Sequence, residues 1–214
     1  MIRFNSTTDP DELIDLICDI LSALPQGELA ALFATGKSEL EVRDRIFLGL
    51  NRMQPLGQVV TREWKRHDFA ILQDGTPHLI IEHKHWIHAD AVDPKKLRVG
   101  EKSILHALEA DIEKLRHSAK EYGQFGAYIL MVAFTVDVSR ASKERLFHTP
   151  IKYASTHLKG IKKFGNAEDL AGVGRSHITD LLIEHGLVKR RPLHVGEYFG
   201  FPIEADIYLL RPNA

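Results

Sequence analysis

The sequence predicts an α/β domain in which helices flank a central mixed β-sheet, and three observations carry that class. Residues 125–137, FGAYILMVAFTVD, are apolar almost without a break, as a strand covered on both faces must be. Residues 67–86, HDFAILQDGTPHLIIEHKHW, set two apolar runs on either side of Asp74-Gly75, the pairing that closes a tight hairpin. Amphipathic helical stretches precede and follow these strands, giving the order helix, helix, three strands, helix, strand.

The elements follow in chain order. Asp9-Pro10-Asp11-Glu12 starts a helix: Asp9 caps, Pro10 suits the first helical position, and Glu12 completes a capping box. Leu13, Leu16, Ile17, Ile20 and Leu21 form its apolar stripe to about Leu24, where Pro25-Gln26-Gly27 breaks it. A second helix runs from about Ser38 to Asn51 with Val42, Ile46 and Leu50 on one stripe. Glu39 falls on that same stripe one turn earlier, and Glu41 points away. GQVVTREW is the first strand, and the hairpin supplies the next two. The linker AVDPKKLRVG leads to a long helix from about Glu101 to Tyr122, carrying Ile104, Leu105, Leu108, Ile112 and Leu115. Residues 1–140 make the core. Residues 141–214 read as a helical appendage packed on it: a basic stretch, then a helix-turn-helix pattern in NAEDLAGVGRSHITDLLIEHGLV, then a strand in EADIYLL.

Bulk properties narrow the function classes. The 214 residues are 44% hydrophobic and 27% charged, ordinary for a globular chain. No stretch approaches the ~20 apolar residues of a membrane span, and MIRFNSTTDPDE lacks the apolar segment of a signal peptide. One cysteine, Cys18, lies in an apolar run and reads as a core residue. These features point to a cytoplasmic protein without a membrane partner. Of 28 basic and 29 acidic residues, the first 41 positions hold two and eight, leaving 26 and 21 for the remainder. The net charge of −1 therefore hides a modest cationic excess that suits a polyanion.

The charged end of the third strand carries the chemistry. Glu82 and Lys84 are two residues apart and leave the same face, while His83 and His85 leave the other. The hairpin brings Asp68 across from Glu82. Two carboxylates and a lysine then converge, a hard oxygen donor set for Mg²⁺, which keeps waters and takes phosphate oxygens. A metal so held activates water and stabilises charge on a phosphodiester in its transition state. Lys84 would orient or deprotonate the water, or neutralise the oxyanion.

The order of helix with Glu39, strand with Asp68, strand with Glu82-His83-Lys84, long helix and apolar strand resembles the PD-(D/E)xK nuclease superfamily over residues 38–137. The resemblance implies a restriction-endonuclease-like core. It also implies a Mg²⁺ ion, for which Mn²⁺ can substitute, held by Asp68, Glu82 and the His83 carbonyl, with Lys84 catalytic and Glu39 assisting the metal. His67 stands where the family often has proline. What this implies is an endonuclease hydrolysing phosphodiesters, with double-stranded DNA the expected substrate, in a restriction, defence or recombination role. The alternative is a non-catalytic nucleic-acid-binding or assembly protein that keeps the fold.

Other features of the sequence stand beside this site. His83, His85 and His88 suggest a two-ligand zinc site, but without cysteine the expectation is partly exposed or phosphate-contacting histidines. There is no GxxxxGK[ST] loop and no GxSxG elbow. Gly172-Val173-Gly174 resembles the hairpin of helix-hairpin-helix modules, or the turn of a helix-turn-helix, against an ordinary glycine turn. If this segment binds nucleic acid, Arg175, Ser176 and His177 are the contacts, and Lys189, Arg190 and Arg191 follow the backbone. Lys114, His117 and Tyr122 of the long helix read as a solvated face. Homodimerisation through the apolar amino-terminal helix would let a single-site enzyme cut two strands.

Overall fold

The computed structural model describes residues 4–5, 7–25, 27–35, 38–53, 57–142 and 151–212. Among them, six strands form one mixed sheet in the order β1-β2-β3-β4-β6-β5, with helices on both faces. The chain runs α1 (Pro10–Ser22), α2 (Glu28–Thr35), α3 (Ser38–Arg52), β1 (Val59–Trp64), β2 (His67–Gln73), β3 (Thr76–Ile87), α4 (His88–Ala91), α5 (Pro94–Arg98), α6 (Ile104–Tyr122) and β4 (Gly126–Val136). It ends with α7 (Ala154–Phe164), α8 (Ala167–Glu184), β5 (Leu187–Tyr198) and β6 (Phe201–Leu210). No described helix is long and apolar enough to cross a membrane.

The local signals act as the residues dictate. The Asp9 carboxylate accepts the Asp11 N–H at the start of α1, and Ser103 caps α6. Asp74 and Gly75 take φ of 52° and 78°, the two left-handed positions of a hairpin turn that matches strand twist. β4 is buried along nearly its whole length because it pairs in parallel with β3, antiparallel with β6, and has helices on both faces. The apolar stripe of α1, including Leu13, Ile14, Ile17 and Leu21, is buried within the chain, so the expected dimer surface there is occupied by its own core. Three short helices went unforeseen: α2, just after the break at Pro25-Gln26-Gly27, α4, at the end of β3, and α5, inside the stretch read as a linker.

The carboxy-terminal part departs from the helical appendage. Its last two elements are strands, and β6 pairs with β4 from Ile129↔Leu210 to Val136↔Ile203, so this part completes the sheet. The expected helix-turn-helix or helix-hairpin-helix is absent here, because α8 runs unbroken through Gly172-Val173-Gly174. Close packing explains one of those glycines: a Cβ on Gly174 would lie 2.6 Å from the His88 carbonyl oxygen of α4, whereas a Cβ on Gly172 would meet nothing within 4 Å. Gly174→Ala should therefore cost about 1–3 kcal/mol through overpacking. Gly172→Ala should gain up to about 1 kcal/mol from helix propensity. Urea midpoints of the two variants check this, and destabilisation by Gly172→Ala would restore a turn at that position.

Charge pairing ties these elements down. Asp206 on β6 is fully buried and accepts from Arg175 Nε at 2.8 Å and Arg190 Nε at 2.9 Å, with His88 Nε2 at 3.5 Å. Burial alone would raise the Asp206 carboxyl; His88 and Arg175 reverse that and pull its pKa down to about 2. Lys189 lies 2.5 Å from Asp11, and Arg191 reaches Asp11 and Asp15. The acidic amino-terminal helix thus faces the basic strand β5.

Candidate active site

The site arises from a mismatch of strand lengths. β3 has twelve residues and β2 seven, and their ladder ends at Phe69↔Ile81. Beyond it β3 continues against β4 alone as far as Ile87↔Phe134. The His83 N–H, at the first turn of that free edge, is taken by a side chain instead of a strand: Asp68 Oδ2 accepts it at 2.8 Å. Asp68 Oδ1 accepts from Arg43 Nη1 of α3 at 3.0 Å.

Glu82 is 1% exposed and shares one oxygen between two donors. Lys114 Nζ lies 2.8 Å from Oε1, and His67 Nδ1 contacts the same oxygen. The other ring nitrogen of His67 is 2.6 Å from Ser118 Oγ. Lys84, on the same face, pairs with Asp111 of α6 at 2.9 Å. Asp111 and Ser118 sit on the buried face of α6 among Leu108, Ile112 and Leu115, so the helix that packs on the sheet also delivers polar groups to its edge.

Electrostatics ties five groups together. Burial would depress the Lys84 ammonium, but Asp111, Asp68 and Glu39 raise its pKa and hold it charged. Asp111 moves the other way from a simple ion pair: burial raises it, Glu82 adds to the rise, and Lys84 does not undo it. One lysine shared among several carboxylates accounts for both directions. Glu39 lies at the solvent edge of α3, yet partial burial of its carboxyl against the site raises its pKa, Asp68 and Asp111 adding to the rise against Lys84 and Arg43. For Asp68, burial is the largest influence and raises it; the His83 N–H and Arg43 together overcome this and leave the carboxyl below its usual range.

Asp68, Glu82, Lys84 and Glu39 are therefore brought to one edge, as their spacing suggested. The His83 side chain is not part of it. Its ring is fully buried on the opposite face, with the His85 ring 5.9 Å away and the Phe33 ring of α2 tilted against His85 at 5.0 Å. For His83 and His88, both fully buried, this corrects the reading as partly exposed or phosphate-contacting, while His85 is partly exposed, and among the described residues no three His, Cys, Asp or Glu side chains gather as ligands of one ion. Lys114 is likewise no solvated bystander. Of the carboxy-terminal candidates, Arg175, Lys189, Arg190 and Arg191 are paired with carboxylates, His177 Nδ1 bonds the Ala91 carbonyl at 3.1 Å, and Ser176 is exposed. Sequence reasoning missed Arg43, Asp111 and Ser118. For the last two a signal existed, a polar residue on the apolar stripe of an amphipathic helix.

No family model, curated protein or solved structure matches this chain.

The residues suit a hard divalent ion in donor chemistry. Mg²⁺ is commonly bound through one or two carboxylates with water and substrate oxygens completing the shell, and Asp68 and Glu82 offer those two. In the arrangement described, Arg43 and Lys114 stand where such an ion would supply charge.

Proposed function

We propose that this chain is a metal-dependent endonuclease with a restriction-endonuclease-like core, hydrolysing phosphodiester bonds, with DNA as substrate. The observation that carries the reading is the crowding of Glu39, Asp68, Glu82 and Asp111 around Lys84 at the unpaired end of β3, with Glu39 and Asp111 pushed up in pKa. Burial is the main reason the Glu39 and Asp111 carboxyls lie above their usual range, with neighbouring carboxylates adding to it, and perturbed carboxylates gathered around one lysine in a partly open site are a signature of cation-binding and catalytic centres.

Asp68 and Glu82 would hold Mg²⁺, or Mn²⁺ in its place, with the His83 carbonyl as a further oxygen donor. The ion, when bound, lowers the pKa of water and neutralises charge on the phosphate. Lys84, held charged by its neighbours, serves as donor to the phosphate oxygen that gains charge, rather than as the base. Asp111 positions Lys84, and Asp68 and Glu82, paired here with Arg43 and Lys114, would be the carboxylates to hold the ion. Glu39 and Asp111, with raised pKa, are the groups suited to accept a proton from water.

A second reading rests on the same ion pairs: with Asp68 and Glu82 already matched by Arg43, Lys114 and His67, the chain would keep the fold and bind nucleic acid without cutting it. Plasmid DNA and single-stranded RNA incubated with Mg²⁺ or with EDTA separate the two. Mg²⁺-dependent nicking lost in Asp68→Asn and Lys84→Ala supports the nuclease. Cleavage that survives both substitutions removes this site, and binding without cleavage favours the second reading.

A further inference from the structure

Beside the candidate site, between the β1–β2 turn and α6, lies an open groove of about 900 Å³. Lys65, Arg66, His67, Lys114, His117 and Tyr122 line it, so it opens directly onto the groups that contact Glu82. Lys65 and Arg66 are exposed and pair with no carboxylate among the described residues, in contrast to Arg43, Arg62, Arg175, Arg190 and Arg191. The groove's own acids are engaged: Glu121 accepts from the Tyr122 hydroxyl, and Glu113 lies 4.0 Å from Arg116.

The turn that carries the two cations is unusual in its residues. Lys65 and Arg66 take φ of 49° and 73°, positions that hairpin turns of this kind normally give to Asn and Gly. Side chains with a Cβ disfavour that region, and such residues recur at ligand clamps. An aromatic platform stands at the same place: the Trp64 and Tyr122 rings are 5.0 Å apart.

We infer that this groove binds a single-stranded segment of the nucleic-acid substrate, its phosphates on Lys65 and Arg66 and a base stacked on Tyr122. Two unpaired cations, Lys65 and Arg66, beside the half-buried Tyr122 ring form the chemistry of single-strand binding, because a π-face is available only where a base is unpaired. The inference deepens the nuclease reading by assigning the substrate an unpaired stretch next to the scissile bond, and DNA and RNA share the chemistry it uses.

Fluorescence anisotropy in EDTA tests it with labelled single-stranded DNA, single-stranded RNA and the blunt DNA duplex of the same sequence. Either single strand should bind more tightly than the duplex. Lys65→Glu/Arg66→Glu should weaken single-strand binding by about tenfold or more, and should flatten the dependence of log affinity on log salt by about 1.4, at ~0.7 per lost phosphate contact. Tyr122→Leu should weaken single-strand binding by about tenfold and leave the duplex unchanged. Melting curves matching wild type confirm that each variant is folded. Duplex binding equal to or tighter than single-strand binding overturns the inference, as does an unchanged salt slope in the double variant. Glu82→Gln separates the two levels: binding kept without cleavage in any protein removes the nuclease and leaves the groove, while cleavage with no effect of the groove variants removes the groove and leaves the nuclease.

Discussion

Lowering the pH from 6.5 to about 4 should remove a large part of the stability of this fold, well above the pH at which the buried Asp206 is titrated. His83 and His157 are fully buried, their ring nitrogens lack hydrogen-bond partners among the described residues, and burial holds each pKa down at about 4. His85 and His88 are depressed in the same direction, His88 against the opposing pull of Asp206. An unfolded chain takes up a proton on each ring near pH 6.5 while the native state does not. The unfolded state therefore binds more protons throughout this window, and stability falls as pH falls. At 1.36 kcal/mol per unit of pKa, each of the two rings accounts for up to about 3 kcal/mol, large against a total of roughly 5–15 kcal/mol. Asp206 acts in a lower window: its depressed pKa contributes stability present above its unfolded value and lost as pH falls toward 2. Urea unfolding followed at pH 7, 6, 5 and 4.5 checks the prediction. A midpoint that stays level across that range would mean these rings are solvated, and His157→Phe should flatten the profile if they are not.

The buried histidines also mark the limit of what periodicity can reveal. Alternation correctly placed His83 and His85 on the face opposite Glu82 and Lys84, but it could not tell which face lies under a helix. That depends on α2, whose Phe33 covers His85 and whose eight residues give too weak a pattern beside Pro25 and Gly27. Elements with strong local chemistry were legible: the capped start at Asp9, the Asp74-Gly75 turn, the twice-covered strand β4. β5 was not, because its alternating Lys189, Arg190 and Arg191 look like a solvated or DNA-facing tail until Asp11, Asp15 and Asp206 are brought in from other elements. The same non-local pairing explains the charge split along the chain. Acidic α1 and basic β5 neutralise each other, so the cationic excess is not a surface for polyanions on that side. At the site, Asp68, Glu82 and Lys84 could be read from face and spacing within one hairpin. Arg43 and Lys114 could not, since each reaches the site from a helix whose rotation over the sheet is set by packing, and Asp111 offered only its place as a polar residue on the apolar stripe of α6.

Glu82→Ala should unsettle the fold as well as the chemistry, and the two losses can be read apart. Its carboxylate is buried between Lys114 and His67, so truncation leaves an ammonium and a ring N–H facing a cavity. Breaking a buried pair from one side costs about 3–5 kcal/mol. Lys114 is 32% exposed and can turn toward water, which places the expected loss near 3 kcal/mol, most of it at His67, itself 1% exposed. Glu82→Gln keeps the volume and a carbonyl oxygen for both donors and should cost only about 1 kcal/mol. For cleavage the ranking differs: the amide is a poor substitute for a charged ligand, and both variants should fall by on the order of 10²-fold or more. A folded Glu82→Gln protein without activity thus assigns Glu82 to the chemistry. If Glu82→Gln cleaves at the wild-type rate, Glu82 does not hold the metal. If Glu82→Ala melts with wild type, the contacts of Glu82 with Lys114 and His67 are not what orders this edge of β3.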